Sequence, residues 1–136
     1  MHMDEHCTRD APDAWAASIT SIRMRGAWQV LNITDAYSSK IFDPQSDART
    51  GYRTNSVLCV PMYDHLMQPL GVLQLINKVP KDLLHDEASI QQYIQVPHVA
   101  KLAFGQRDQE VATAFACLAG LAVERNYLWS EKSLFE

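Results

Sequence analysis

The clearest pattern of apolar and polar positions runs from Asn55 to Lys78 and predicts a β-hairpin. Ser56–Tyr63 is rich in β-branched and apolar residues, Asp64–Pro69 supplies turn residues, and Leu70–Lys78 is a second apolar run. Because proline cannot donate to a β-ladder, we expect Pro61 at a strand end or a bulge, not in the middle of a central strand.

Gln74 is the one polar member of a face that is otherwise apolar in the second run. Alternate residues of a strand share a face, and here they are Leu70, Val72, Gln74 and Ile76. An amide at such a position indicates either a ligand contact or a core polar group whose hydrogen bonds are satisfied.

Weaker patterns precede the hairpin. Residues 1–14 are polar and poorly patterned, and the apolar positions of Trp15–Met24 predict a short helix. Trp28–Ile33 has the composition of a strand. In the polar region that follows, Asp35 or Ser38 is a candidate cap for a short helical turn, and Gly51 is a natural helix end.

The longest helical pattern is the last, from Gln106 to Trp129. Its apolar positions follow the 3.6-residue period and predict a face that covers the sheet as far as Ala122. These positions are Val111, Ala114, Phe115, Leu118, Ala122 and Leu128. The long segment before this helix, Val79–Ala103, contains two prolines and has helical character within Asp86–Val96.

Composition narrows the class of protein. The 136 residues suffice for one domain with a core, and 47% hydrophobic and 21% charged residues are typical of a soluble globular protein. A net charge of −4 argues against a nucleic-acid or anionic-membrane surface. No apolar run approaches the ~20 residues of a membrane span, and the first residues lack a signal-peptide pattern. We therefore expect a cytoplasmic protein.

The cysteines and the N-terminal histidines predict neither disulfides nor a metal site. Cys7, Cys59 and Cys117 are odd in number and widely spaced, which favours reduced thiols. Cys59 and Cys117 are expected to be small buried apolar residues of a strand and a helix. His2, His6 and Cys7 have no fourth ligand near them, so we predict no metal there.

Three stretches occur in a fixed order: LNITDAY (Leu31–Tyr37), TGYRTNSVLCVPM (Thr50–Met62) and GVLQLINK (Gly71–Lys78). Together they resemble the GAF domains of cyclic-nucleotide phosphodiesterases. The resemblance implies an α/β (α+β) fold, namely a GAF-like antiparallel sheet with helices packed on it and a long C-terminal helix. The role it implies is regulatory, by allosteric binding of cGMP or cAMP.

The resemblance covers residues 29–131 and departs from the family in two places. Residues 79–103 look like an insertion, because the family usually has a short turn there. Residues 1–28 match none of the helices, strands and glycine turn that precede the first stretch in the family, so the domain looks truncated in its N-terminal half. Residues 132–136 are expected to form a C-terminal tail.

By matching position, the resemblance implies five ligand-binding side chains: Asp43, Asp47, Thr50, Thr54 and Gln74. Carboxylate and amide groups can hydrogen-bond a purine edge, and threonine hydroxyls can donate to a cyclic phosphate. The residue types fit solvated helix and turn positions equally well, and they do not decide between cGMP and cAMP. Because the truncation removes one wall of the pocket, we predict weak or absent binding by this chain. No cofactor is implied.

A further family motif joins Asn77-Lys78 to Phe104 and Asp108, with Gln109 where the family usually has glutamate. The resemblance implies a structural role for this motif. An ion pair between Lys78 and Asp108 is expected to tie the end of the hairpin to the start of the last helix.

We expect no catalytic residues in this chain. The catalytic half of a phosphodiesterase is a separate helical domain with a two-metal site, whereas His65, His85 and His98 are scattered here and form no HxxxH pattern. One enzymatic alternative remains, since a few small GAF proteins reduce free methionine sulfoxide with pocket cysteines.

The other alternative is a pairing module that binds no ligand. Phosphodiesterase GAF domains also dimerise through helices at the domain ends, and Tyr127, Leu128 and Trp129 are grouped near the end of the last helix. Such a module would form a homo-oligomer or contact a neighbouring phosphodiesterase domain through that helix.

Overall fold

A three-stranded antiparallel sheet lies at the centre of the fold. In the computed structural model, which describes residues 23–24, 27–97 and 101–133, its strands are β3 (Leu31–Ile33), β4 (Val57–Tyr63) and β5 (Pro69–Ile76), in that order across the sheet. Within these ranges three helices accompany the sheet: α1 (Gln45–Thr50), α2 (Glu87–Gln95) and α3 (Gln106–Ser133). The predicted α+β class, with an antiparallel sheet and a long C-terminal helix, is confirmed.

Two short strands, β1 (Arg23–Met24) and β2 (Ala27–Trp28), pair antiparallel ahead of this sheet. The helix predicted for Trp15–Met24 is therefore wrong at its last two residues, and the rest of it lies outside the described residues. The cross-strand pairing of these residues overrides the weak helical pattern.

The hairpin of β4 and β5 forms as predicted, with its register running from Val57 opposite Ile76 to Pro61 opposite Val72. Pro61 lies inside the middle strand of the sheet, but β3 pairs with β4 only as far as Cys59. Beyond that point, among the residues that the structure describes, only β5 pairs with β4, and the ladder becomes irregular between Met62 and the next residue. The missing N–H of proline is tolerated for this reason.

The helix ends follow local rules that the sequence indicates. Gly51 ends α1 in the left-handed conformation, with φ 71°, and its N–H donates to the Asp47 carbonyl at 2.8 Å. The carboxylate of Asp86 caps α2 by accepting from the Ala88 N–H at 3.2 Å. A short 3₁₀ turn, Lys81–Leu83, precedes α2.

The two faces of the sheet contribute to two separate cores. Alternate residues of β4, Leu58 and Val60, pack with Ala112 and Ala116 of α3. The opposite face carries a second cluster, which consists of Ile33, Ala36, Val57, Cys59 and Val72. Ala36 of this cluster belongs to the segment between β3 and α1. The sheet thus separates the α3 layer from the segment that precedes α1.

Helix α3 contacts the sheet through its smallest residues, and the predicted apolar face is wrong. Ala112, Ala116 and Gly120 are buried, whereas the exposed side chains are those predicted to cover the sheet, with Phe115 and Leu118 exposed to 63% and 65%. Small side chains allow the helix backbone to approach β4 closely, and this gain in packing outweighs burying the larger residues. The helix also continues past Trp129 to Ser133.

Candidate functional site

Asn77 connects the end of β5 to the loop before β4. Its side-chain oxygen accepts from the N–H groups of Asn55 (2.6 Å) and Ser56 (3.3 Å), and its amide nitrogen donates to the Arg53 carbonyl (2.8 Å) and the Tyr52 hydroxyl (3.1 Å). The residue is buried and has a φ of 59°, a conformation that asparagine adopts more readily than most residues. It therefore has a structural role in this chain.

Lys78 and Asp108 form the ion pair that was expected from the sequence. The Lys78 Nζ lies 2.5 Å from Asp108 Oδ2, and the two side chains are 34% and 32% exposed. The same carboxylate oxygen accepts from the Gly105 N–H at 2.6 Å. The hydrogen bond from Lys78, followed by that from Gly105, holds the pKa of Asp108 below its usual value. Phe104 completes the motif, since its carbonyl accepts from the Asn32 amide at 2.7 Å.

Asp47 and Thr54, two of the predicted ligand residues, are hydrogen-bonded to each other. Asp47 Oδ2 accepts from the Thr54 N–H at 2.6 Å, and Oδ1 accepts from the Thr54 hydroxyl at 2.7 Å. The Tyr37 hydroxyl donates to the same carboxylate at 2.8 Å. Burial and then this contact with Asp47 raise the pKa of Tyr37. Both carboxylate oxygens are thus engaged within the chain.

The other three predicted ligand residues lie apart from this pair. Asp43 accepts from the Gln45 N–H at 2.9 Å, and the Thr50 hydroxyl donates to the Ser46 carbonyl at 3.0 Å, so both serve the local geometry of α1. Gln74 is exposed on β5, opposite Cys59, and no hydrogen bond of the described residues joins it to the other four. Gln74 nevertheless lies on the sheet face against which the segment before α1 packs.

The described cysteines do not meet in a pocket. Cys59 is fully buried in the sheet, whereas Cys117 is exposed on α3, so the prediction that both are buried is wrong for Cys117. The cause is the rotation of α3, which turns its alanine and glycine side toward the sheet. His65 of the hairpin turn contacts Glu124 of α3, with its N–H 3.2 Å from Oε2.

A cleft of about 920 Å³ lies on the α3 side of the sheet and contains none of the five predicted ligand residues. Lys78 and Asp108 are among its lining residues, so a motif that was predicted to be structural borders the cavity. Its apolar lining is Leu73, Leu75, Phe104, Val111, Ala112 and Phe115. The sequence pattern missed this cleft because it placed Val111 and Phe115 against the sheet.

The described part of the chain contains neither a cluster of metal ligands nor a membrane-spanning helix. No three His, Cys, Asp or Glu side chains there are grouped as metal ligands would be. No helix within those ranges has the length and hydrophobicity needed to cross a bilayer.

Comparison with known proteins gives a local relationship. No family model matches the chain. A stretch of 63 residues is 36% identical to the cGMP-specific 3',5'-cyclic phosphodiesterases of Drosophila melanogaster and Drosophila pseudoobscura. The match covers 46% of this chain and 6% of each relative, so the chain spans a small part of their length. This chain therefore contains a region similar to a cGMP-specific phosphodiesterase.

Proposed function

We propose that this chain is a non-catalytic regulatory region of the phosphodiesterase GAF type that binds cGMP or cAMP weakly. The observation that carries the proposal is the 63-residue similarity to cGMP-specific phosphodiesterases. The three sequence stretches that resemble GAF domains and the antiparallel sheet with its long C-terminal helix support it.

The hydrogen bonds of the candidate site are the reason that we expect weak binding. A nucleotide that used Asp47 and Thr54 would have to replace the bonds between them. A hydrogen bond to a charged group contributes about 1.5–3 kcal/mol, which corresponds to roughly tenfold to a hundredfold in affinity. We therefore expect dissociation constants weaker than about 10 μM for both cyclic nucleotides.

Calorimetric titration of the whole chain with cGMP and cAMP tests this proposal. Gln74 is exposed, so Gln74→Ala is expected to leave stability unchanged and to weaken binding by about tenfold. Gln91→Ala, an exposed glutamine of α2, is the matched control and should bind as the unaltered chain does. If the heat of binding does not saturate at millimolar nucleotide, the chain does not bind cyclic nucleotides. A sub-micromolar dissociation constant would contradict the claim that the Asp47–Thr54 hydrogen bonds weaken binding.

We infer a second candidate function, pairing through α3, from the large apolar side chains on its outer side. Val111, Phe115 and Leu118 are exposed to 51%, 63% and 65%, and the first two also line the cleft. Burying such a stripe in a second copy or a neighbouring domain would remove apolar surface from water.

Sedimentation at micromolar and higher concentrations tests the pairing function. Self-association that Phe115→Ser and Leu118→Ser abolish together would support it, and Arg125→Ser, an exposed position of the same helix, is the control. A chain that stays monomeric at every concentration would contradict pairing between copies.

A further inference from the structure

The cleft on the α3 side of the sheet has an apolar wall on each of two elements. Leu73 and Leu75 form the wall on β5, where alternate residues share a face, and both are half-buried. Val111 and Phe115 form the wall on α3, four residues apart, and they are 51% and 63% exposed. The volume of about 920 Å³ falls within the range of small-molecule sites, about 300–1,000 Å³. These walls fit a ligand with an apolar body.

The charged side chains that line the same cleft are mostly cations. Lys78, Lys81 and Arg107 are the cations, and Asp108 is the one carboxylate among the described lining residues. Asp108 is already paired, because Lys78 Nζ lies 2.5 Å from its Oδ2. The described lining therefore carries a net charge of +2, in a chain whose formal charge is −4.

Lys81 and Arg107 are the cations best placed to meet a ligand. Both are exposed, and neither belongs to the Lys78–Asp108 ion pair. Asp82 and Glu110, two exposed acids close to them in sequence, are not among the described residues that line the cleft. The charge of the cleft is thus complementary to an anionic group on the ligand.

The lining favours a hydrocarbon chain over a peptide. A bound peptide presents backbone N–H and C=O groups, and each of them needs a hydrogen-bond partner once it is buried. Among the described lining residues, Gln106 is the one uncharged side chain that can form hydrogen bonds, and its amide already donates to Glu110 at 3.1 Å. A hydrocarbon chain needs no such partners.

We propose that this cleft binds a long-chain carboxylate of the fatty-acid class. The hydrocarbon chain lies along the apolar walls of β5 and α3, and the carboxylate meets Lys81 and Arg107. A guanidinium can donate two parallel hydrogen bonds to a carboxylate, and the ammonium adds a point charge. The site goes beyond the proposed regulatory function, and it lies on the sheet face opposite Gln74.

Titration of the ¹⁵N-labelled full chain with decanoate, at pH 7 and constant ionic strength, tests the site. We expect saturable amide shifts at Leu75, Phe104 and Phe115, with a dissociation constant of about 0.1 mM. Octanoate should bind about tenfold more weakly, because each buried CH₂ contributes about fourfold in affinity. Decylammonium has the same chain and the opposite charge, so it should also bind at least about tenfold more weakly.

Substitutions on the cleft surface separate the two parts of the ligand. Lys81→Gln and Arg107→Gln together should weaken decanoate binding by about tenfold. Phe115→Ser should weaken it by a similar factor through the chain. All three positions are exposed, so the fold should be retained. Lys40→Gln and Leu121→Ser, at exposed positions that do not line the cleft, are the matched controls and should bind decanoate as the unaltered chain does.

Three results would overturn the site. They are the lack of a saturable shift with decanoate, equal affinity for decylammonium, and unchanged decanoate affinity in the Lys81→Gln, Arg107→Gln double variant. The nucleotide proposal is judged separately, because none of its five side chains lines the cleft. Val111 and Phe115 also belong to the proposed pairing surface, and sedimentation without decanoate tests that surface on its own.

Discussion

Gly120 is the position at which the backbone of α3 comes closest to the sheet. A Cβ atom added there would lie 2.4 Å from the carbonyl oxygen of Tyr63 and 3.3 Å from its nitrogen. Cβ atoms essentially never approach other heavy atoms within 3.0 Å. Since Tyr63 presents backbone atoms at the end of β4, no side-chain rotation can relieve the contact in Gly120→Ala.

Two opposing terms decide the effect of Gly120→Ala on the free energy of unfolding. Alanine is a better helix former than glycine by about 1 kcal/mol, which favours the variant. Against this, α3 must move away from β4 by more than half an ångström, and the contacts of Ala112 and Ala116 with Leu58 loosen with it. Overpacking of this kind costs about 1–3 kcal/mol, and here it acts on rigid backbone. Because rigid backbone cannot yield, we expect the upper end of this cost, about 3 kcal/mol. Subtracting the gain of about 1 kcal/mol from helix propensity leaves a net destabilisation of about 2 kcal/mol.

Urea denaturation of both proteins, followed by circular dichroism, measures this difference. The matched control is Ala122→Gly, an exposed position two residues further along the same helix, where only helix propensity changes and a loss of about 1 kcal/mol is expected. If Gly120→Ala instead stabilised the chain by about 1 kcal/mol, propensity alone would be acting, and the close packing of α3 on β4 would be refuted.

Three further predictions concern single side chains. Lys78→Ala should cost about 1–2 kcal/mol, because its ion pair is one-third exposed. Lys78 lowers the pKa of Asp108 in the folded state, so the stabilisation from this ion pair is present above about pH 4 and is lost as the pH falls through that pKa. In urea denaturation from pH 7 to pH 3, the free energy of unfolding should therefore fall less steeply with decreasing pH for Lys78→Ala than for the unaltered chain. Asn77→Ala should lower the urea midpoint by the equivalent of about 3 kcal/mol, since it leaves buried N–H groups without an acceptor, and an unchanged midpoint would contradict the role of Asn77. In thermal unfolding, Leu118→Ala should leave the free energy of unfolding unchanged within about 0.5 kcal/mol, because Leu118 is exposed. Leu58→Ala should lower it by about 3 kcal/mol, because Leu58 is buried. Equal effects of the two substitutions would contradict the orientation of α3 on the sheet.

Local sequence rules were sufficient for the hairpin and for several helix ends. The strand pattern and turn residues of 55–78 predict β4 and β5 within one or two residues, because alternation and turn chemistry are properties of neighbouring positions. Gly51 and Asp86 mark helix ends for the same reason. The Lys78–Asp108 contact was accessible only through the resemblance, since 30 residues separate its partners.

The orientation of α3 could not be predicted from hydrophobicity alone. A periodic pattern identifies a helix, and the largest apolar residues are usually assigned to its buried face. Here a close approach to the β4 backbone at Gly120 selects the alanine and glycine side instead. That selection depends on the distance between two elements, and the same unpredicted rotation accounts for the exposure of Cys117 and for the cleft.

The candidate ligand residues show a similar division between local and tertiary information. Residue types at matching positions indicated Asp47 and Thr54 as candidates. That the Asp47 carboxylate accepts hydrogen bonds from Thr54 and Tyr37 depends on the tertiary structure.

The most direct test of the proposed regulatory function is the mapping of amide chemical shifts during a titration with cGMP. The account predicts weak, saturable shifts at Asp47, Thr54 and Gln74, on the sheet face away from α3. Shifts confined to the cleft around Phe104 and Val111, or a dispersed spectrum that cGMP leaves unchanged, would contradict it.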